Sequence, residues 1–326
     1  MDNEPKPRIR ETEFVMEPLI SIVVPLFNEE LVIEQMYRRV TAVMAAIGLD
    51  YELILINDGS RDKTLPIARQ LCTQDPHVKL IGFSRNFGHQ AALTAGLDKA
   101  RGDAVVIIDA DLQDPPEIIP QMVEKWKDGF DVVYGTRVKR EGETRVKKWT
   151  AAGFYWLLRK LTAVDIPQDT GDFRLLDRRV VNALNRMREK NRFLRGMVSW
   201  VGFRQCRLEY VRHERFAGET KYPFKKMVKF ALDGILSFSQ IPLKVSSVFG
   251  FLCSLLSFCL IIYGLVEKFF YSQSVIRGWL STFVAILFLG GVQLICIGIL
   301  GEYLGRIYDE IKNRPLYVCD ELINFD

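Results

Sequence analysis

The chain has 326 residues, 48% of them hydrophobic and 26% charged, with a formal net charge of +4 at pH 7. That balance excludes a disordered tail, a collagen-like repeat and a small disulfide scaffold, and the charge is too mild to argue for a nucleic-acid partner. The averages hide a split: charges are spread from Met1 to Lys244, whereas residues 245–266 and 278–301 carry none.

In chain order, the first 135 residues alternate β-rich runs with helical patterns. Leu19–Pro25 (LISIVVP), Glu52–Ile56 (ELILI), Val78–Phe83, Ala104–Ile108 (AVVII) and Asp131–Tyr134 read as strands. Between them, Leu31–Ala46, Lys63–Cys72, Gln90–Lys99 and Ile118–Lys127 read as helices. Alternation at this spacing predicts an α/β domain with a mostly parallel sheet, whose ligands bind at the carboxyl ends of the strands. Residues 145–164 read as an apolar helix with basic ends, either buried or lying on a membrane surface; Tyr222–Lys244 is basic and amphipathic and suits an interface.

The two uncharged stretches would span roughly 33–36 Å as helices, against a hydrocarbon core of about 30 Å. Trp279, Tyr263 and Tyr303 stand near their ends as interfacial anchors. Lys221, Lys225, Lys226, Lys229 and Lys244 precede the first stretch, and Arg306, Lys312 and Arg314 follow the second; the loop between carries only Lys268 and Arg277. The bias predicts a hairpin with both ends cytosolic and the loop outside. Residues 1–17 are polar, without a signal-peptide core, so the large domain is expected on the cytosolic side of the inner membrane. Six cysteines without CxxC spacing read as reduced structural thiols. The expected organisation is a catalytic domain over 1–221, a juxtamembrane helix over 222–244, two spans over 245–304 and a cytosolic tail over 305–326.

Four polar clusters follow predicted strands: Pro25 to Glu30, Asn57 to Asp62, Asp109 to Pro116, and Gly135-Thr136-Arg137. In the second, Gly59 suits a turn needing positive φ. The third is the most informative. Two carboxylates flank one small residue at the end of a buried strand, where their repulsion calls for a cation. Oxygen ligands at a sheet mouth suit Mg²⁺ or Mn²⁺ holding a diphosphate. The three histidines have no zinc-ligand spacing.

The segments SIVVPLFNEE, INDGSRDKT, FSRNFGHQAALTAGL, DADLQDPP, GTR, TGDFRLLDRRV, RFAGETKY and GEYLGRIYDEIKNRPLYV, in this order along nearly the whole chain, resemble the membrane-anchored polyprenyl-phosphate glycosyltransferases. These are inverting enzymes of the GT-A fold and include dolichyl-phosphate mannose synthase. The similarity is greatest to the bacterial GtrB-like bactoprenol glucosyl transferases with two C-terminal spans. Asn57 stands where the eukaryotic-type members more often have Asp, and Asp58 is retained.

The resemblance implies a GT-A domain that moves a hexose, glucose first, from a UDP-sugar to undecaprenyl or another polyprenyl phosphate with inversion. Pro25, Phe27, Glu29, Asp58, Asp109 and Ala110 are then nucleotide-sugar contacts, with Asp58 accepting from the base. Asp111, with Asp109 and Gln113, holds the metal. Asp172 is the candidate catalytic carboxylate, with Arg137 near the reaction centre; an alternative makes Asp172 the N-cap of a helix from Leu175 onward. Arg215 and Lys221 hold phosphate, or are ordinary juxtamembrane positives. Mannose, amino-arabinose or an N-acetylhexosamine are alternative sugars, and a nucleotide-sugar sensor without turnover is a non-enzymatic alternative. Glycines in the spans allow a homo-oligomer. A processive polysaccharide synthase would need QxxRW and more spans, and a dehydrogenase would need GxGxxG after the first strand; neither is present.

Overall fold

The protein is described here from a computed structural model covering residues 17–137, 170–211, 241–270 and 279–325. The expected helix over 145–164, most of the juxtamembrane segment, and Arg215 and Lys221 lie outside the described residues. The described residues divide into two units: one holds the sheet and includes residues 315–325, the other holds two long helices.

The first unit opens with β1 (Ile20–Leu26), α1 (Ile33–Ile47), β2 (Tyr51–Asn57), α2 (Thr64–Gln74), β3 (Val78–Phe83), α3 (His89–Lys99) and β4 (Ala104–Ile107). A short 3-10 turn over Pro116–Ile118 leads into α4 (Ile119–Lys127) and β5 (Val132–Arg137). These strands read as unbroken apolar runs because both faces of the sheet are covered. Ile22, Val24, Leu53, Leu55 and Val106 face the layer of α1, α2 and α4, whose Met36, Val40 and Trp126 are 1% exposed or less. Val23 and Ile56 face α3. Gly96 permits that approach, since a Cβ there would fall 2.3 Å from Val23 Cγ1.

The chain continues with β6 (Thr170–Asp177), α5 (Arg178–Arg186), α6 (Leu194–Trp200) and β7 (Gln205–Tyr210). The alternative that put a helix cap at Asp172 is corrected here: Asp172 lies inside β6. Asp177 is the cap of α5, accepting from the Arg179 N–H at 2.9 Å and from Trp126 Nε1 at 2.9 Å. A buried run of eight residues between two sheet neighbours takes the extended form whatever the capping preference of one Asp.

The sheet has eight strands in the order β7-β5-β6-β4-β1-β2-β3-β8, where β8 is Cys319–Ile323. β1, β2, β3 and β4 run parallel, as do β5 and β7; β6 runs antiparallel to β4 and β5. The amino end of β6 therefore meets the carboxyl ends of β4 and β5. Within the segment 305–326, expected as a tail, β8 pairs antiparallel with β3 and closes that edge of the sheet. Arg69 grips Glu321 with two hydrogen bonds of 2.9 and 3.0 Å, Asn324 donates to the Cys72 and Val78 carbonyls, and Tyr317 stacks on Phe83. Those contacts outweigh the polar character of the segment.

In the second unit, α7 (Ile241–Phe270) and α8 (Trp279–Ile311) touch where Cys296 Sγ donates to the Ser246 carbonyl at 3.6 Å. Large apolar side chains such as Phe251, Leu294 and Ile297 are more than half exposed. Among the described residues, one stretch, Phe288–Ile311, is long and apolar enough to cross a membrane; Ile241–Leu256 is apolar but shorter. α8 runs ten residues past Gly301, because charge ends an apolar stretch without ending a helix: Glu302 and Arg306 pair across one turn at 3.6 Å.

Candidate active site

Parallel pairing of β1 to β4 delivers four loops to one edge of the sheet. The first two are laced together. Asn28, at φ 55, accepts from the Arg61 N–H through Oδ1 at 2.9 Å and donates its own N–H to Ser60 Oγ at 3.0 Å. The Glu29 N–H donates to Thr64 Oγ1 at 2.8 Å, and Glu30 Oε2 accepts from the Lys63 N–H at 2.9 Å. Pro25 lies within β1, and Phe27, 36% exposed, stands where the chain leaves it.

Asp58 follows β2 and is 3% exposed. Its Oδ1 accepts from the Phe87 N–H at 2.6 Å and its Oδ2 from the Gly88 N–H at 3.0 Å, while its carbonyl accepts from Asn86 Nδ2 at 3.1 Å. Burial raises the Asp58 carboxyl above its ordinary value against the pull of these donors. Gly59, at φ 65, is the position expected of it: a Cβ would lie 2.5 Å from the Asn86 nitrogen. Asp58 thus anchors the loop after β3, an engagement that the sequence reading did not foresee.

Asp109 to Asp114 follow β4. Asp111 Oδ1 accepts from the Gln113 N–H at 3.2 Å across Leu112, which sits at φ 58. Ala110, Gln113 and Asp114 are buried, and Tyr210 of β7 donates its hydroxyl to Asp114 Oδ1. Arg137 ends β5 in register with Tyr210.

Asp172 comes in from β6, and two residues that the sequence reading left without a role meet it. Arg195 of α6 donates through Nε to Oδ1 at 2.9 Å and through a terminal nitrogen to Oδ2 at 3.1 Å. His89, first residue of α3, places Nε2 3.3 Å from Asp172 Oδ2 and 3.7 Å from Asp109 Oδ1. Burial works against the charge of Asp172, but the Arg195 guanidinium and the His89 hydrogen bond hold it well below the usual carboxylate range. Burial likewise opposes the imidazolium, yet Asp172 and Asp109 lift His89 to about 9. Burial and the charges of Asp172, Asp114 and Asp111 push Asp109 up to about 6, with His89 pulling the other way. The Asp109 side chain is still 32% exposed, so a ligand can reach it.

This crowding of carboxylates at one strand end fits a divalent cation, which would relieve the repulsion that raises Asp109. Among the described residues no three His, Cys, Asp or Glu side chains converge as a metal shell. Asp109 and Asp111 are the two carboxylates that the end of β4 offers to such a cation.

A three-layer α/β domain with a DxD at the carboxyl edge of its sheet is the architecture of a glycosyltransferase of the GT-A type. The Glycosyl transferase family 2 pattern matches residues 21–184, and the GtrB C-terminal hairpin pattern matches residues 241–307. The chain belongs to glycosyl transferase family 2 and is a glycosyltransferase. It is 56% identical over 301 residues to an uncharacterized glycosyltransferase of Bacillus subtilis, covering 92% of this chain and 93% of that one. It is 46% identical over 299 residues to the SfII prophage-derived bactoprenol glucosyl transferase of Shigella flexneri, covering 92% and 96%. Among solved structures, a glucosyl-3-phosphoglycerate synthase of Mycobacterium tuberculosis in complex with Mn²⁺, UDP and phosphoglyceric acid matches at a TM-score of 0.48 and 22% identity, covering 67% of this chain and 76% of that one.

Proposed function

We propose that this chain transfers a hexose, glucose by preference, from a UDP-sugar to undecaprenyl or a related polyprenyl phosphate, with inversion, at the cytosolic face of the inner membrane. The observation that carries this reading is the 46% identity to a bactoprenol glucosyl transferase across 96% of that protein, domain and hairpin together. The exposed apolar surfaces of α7 and α8 support a membrane anchor; the lysine and arginine bias around the apolar stretches is what favours a multi-pass enzyme with both termini cytosolic.

In this reading Pro25, Phe27, Glu29, Asp58 and Ala110 shape the nucleotide pocket. Asp58 does so by holding the Phe87–Gly88 backbone in place. Asp109, Asp111 and Gln113 would hold Mg²⁺ or Mn²⁺, which when bound neutralises charge growing on the departing diphosphate. An acceptor phosphate oxygen forms the new bond to the anomeric carbon as the bond to UDP breaks, and UDP leaves with the electron pair. A phosphate monoester is already largely ionised near pH 7, its second pKa being about 6, so little base catalysis is needed. Asp172 faces the acceptor side, and Arg137, Arg215 and Lys221 supply the positive charge that brings two anions together.

The test is incubation of membranes carrying the chain with radiolabelled UDP-glucose, UDP-N-acetylglucosamine or GDP-mannose and undecaprenyl phosphate. Label from UDP-glucose should enter the lipid extract. Label entering only from another donor reassigns the sugar, and no lipid label from any donor refutes the reaction.

A further inference from the structure

The Arg195–Asp172 pair has a geometry that a general ion pair does not require. Asp172 is 6% exposed and Arg195 28%, and the guanidinium meets both carboxylate oxygens side-on. The far side of the same carboxylate meets His89, which in turn reaches Asp109. α6 is itself tied to α3, because the Leu194 N–H donates to Gln90 Oε1 at 2.9 Å. A second guanidinium, Arg174, lies two residues along the same face of β6, 3% exposed, and donates to the Gly171 carbonyl at 2.9 Å. One continuous chain of contacts thus runs from α6 through Asp172 and His89 to the strand end that carries the DxD.

We propose that Arg195 is a positioning residue for sugar transfer: its two-pronged grip sets the plane of the Asp172 carboxylate and keeps it a fixed anion, so that Asp172 works as an oriented charge and not as a proton carrier. This rests on the transfer reaction proposed above. A planar guanidinium fork holds a carboxylate in one rotation, whereas an ammonium is a point charge about which the carboxylate turns. Burial of Asp172 makes the pairing obligatory, since an unpaired anion there would protonate or draw in water. With two guanidinium groups beside it, the carboxylate is a poor proton acceptor. The ionised acceptor phosphate needs none.

The experiment compares the full chain in detergent with R195K, R195Q, D172N and R195Q/D172N. It measures kcat for lipid-linked product, KM for the lipid, UDP binding by calorimetry and the melting midpoint. R195K keeps the charge and removes the fork, and should lower kcat about tenfold to a hundredfold, as loss of an orienting partner typically does, with UDP binding and melting midpoint unchanged. R195Q should be slower still. The double variant should be no slower than the slower single, because both changes act on one carboxylate. R195K turning over at the parent rate, or slowdowns that multiply in the double variant, overturn the proposal. If R195Q fails to fold, R195K alone decides. A parent chain that makes no lipid-linked product overturns the transfer reading and this one with it; a parent that transfers beside an R195K variant that keeps pace overturns only this one.

Discussion

Replacing Asp58 by Asn separates two jobs that one carboxylate could do. Both its oxygens accept backbone N–H groups, Oδ1 from Phe87 at 2.6 Å and Oδ2 from Gly88 at 3.0 Å. An Asn side chain has the same shape but one acceptor. With its oxygen toward Phe87, its NH₂ faces the Gly88 N–H, donor against donor; the flipped amide puts the clash at the shorter contact. Even with the oxygen toward Phe87, the variant loses the 3.0 Å bond from Gly88 to Oδ2, leaving that N–H only its 3.3 Å contact to Oδ1, and gives up the charged acceptor, a cost of about 1.5–3 kcal/mol. For a domain of this size that lowers the melting midpoint by roughly 3–12 °C. The loop so loosened leads directly into His89, so UDP binding should weaken as well. Differential scanning fluorimetry and UDP calorimetry on the same preparations read both effects. A D58N protein that melts within about a degree of the parent but no longer binds UDP would refute the anchoring argument and return Asp58 to direct contact with the base.

Chelation with EDTA should abolish transfer and Mg²⁺ or Mn²⁺ restore it, while Asp111→Asn should lower activity by orders of magnitude in a radiolabel assay. Glu52 accepts from Ser21 Oγ at 2.5 Å, the Arg101 N–H at 2.6 Å and Lys79 at 2.7 Å; burial opposes its charge, but these donors outweigh it and lower its pKa. A folded pKa below the unfolded one contributes stability that is present above about pH 4.3 and lost as pH falls through the folded value. The melting midpoint of the parent should therefore fall through that acid range more steeply than that of Glu52→Gln. A reporter fused after Asp326 should be cytosolic, and a tag near Ser272 should be labelled from outside in intact cells; protection of that tag would refute the hairpin orientation.

Much of the first half of the fold was legible because its strands are short apolar runs set between helical patterns, and Val78–Phe83 was bounded to the residue. The DxD was legible for the same reason: it stands directly after such a run. β8 was not, since Cys-Asp-Glu-Leu-Ile has two charges and alternates between half-buried and exposed positions. Its place depends on a partner strand more than 230 residues earlier. Arg195 and His89 were missed on similar grounds, because an ion pair over 23 residues and a contact over 83 leave no local pattern. His89 did carry one signal: it begins the helix that follows β3, at the edge where ligands of such sheets bind.

The pairing of β8 with β3 also orders events during synthesis. Among the described strands β8 is made last, after both apolar helices. Until then β3 carries an open edge, the part of a sheet most prone to pairing with foreign chains. The two apolar helices are thus an insertion within the enzyme, flanked on both sides by pieces of one sheet. A fragment cut before Ile241 would leave its own edge strand behind, and completion of the sheet has to wait until both apolar helices have been made.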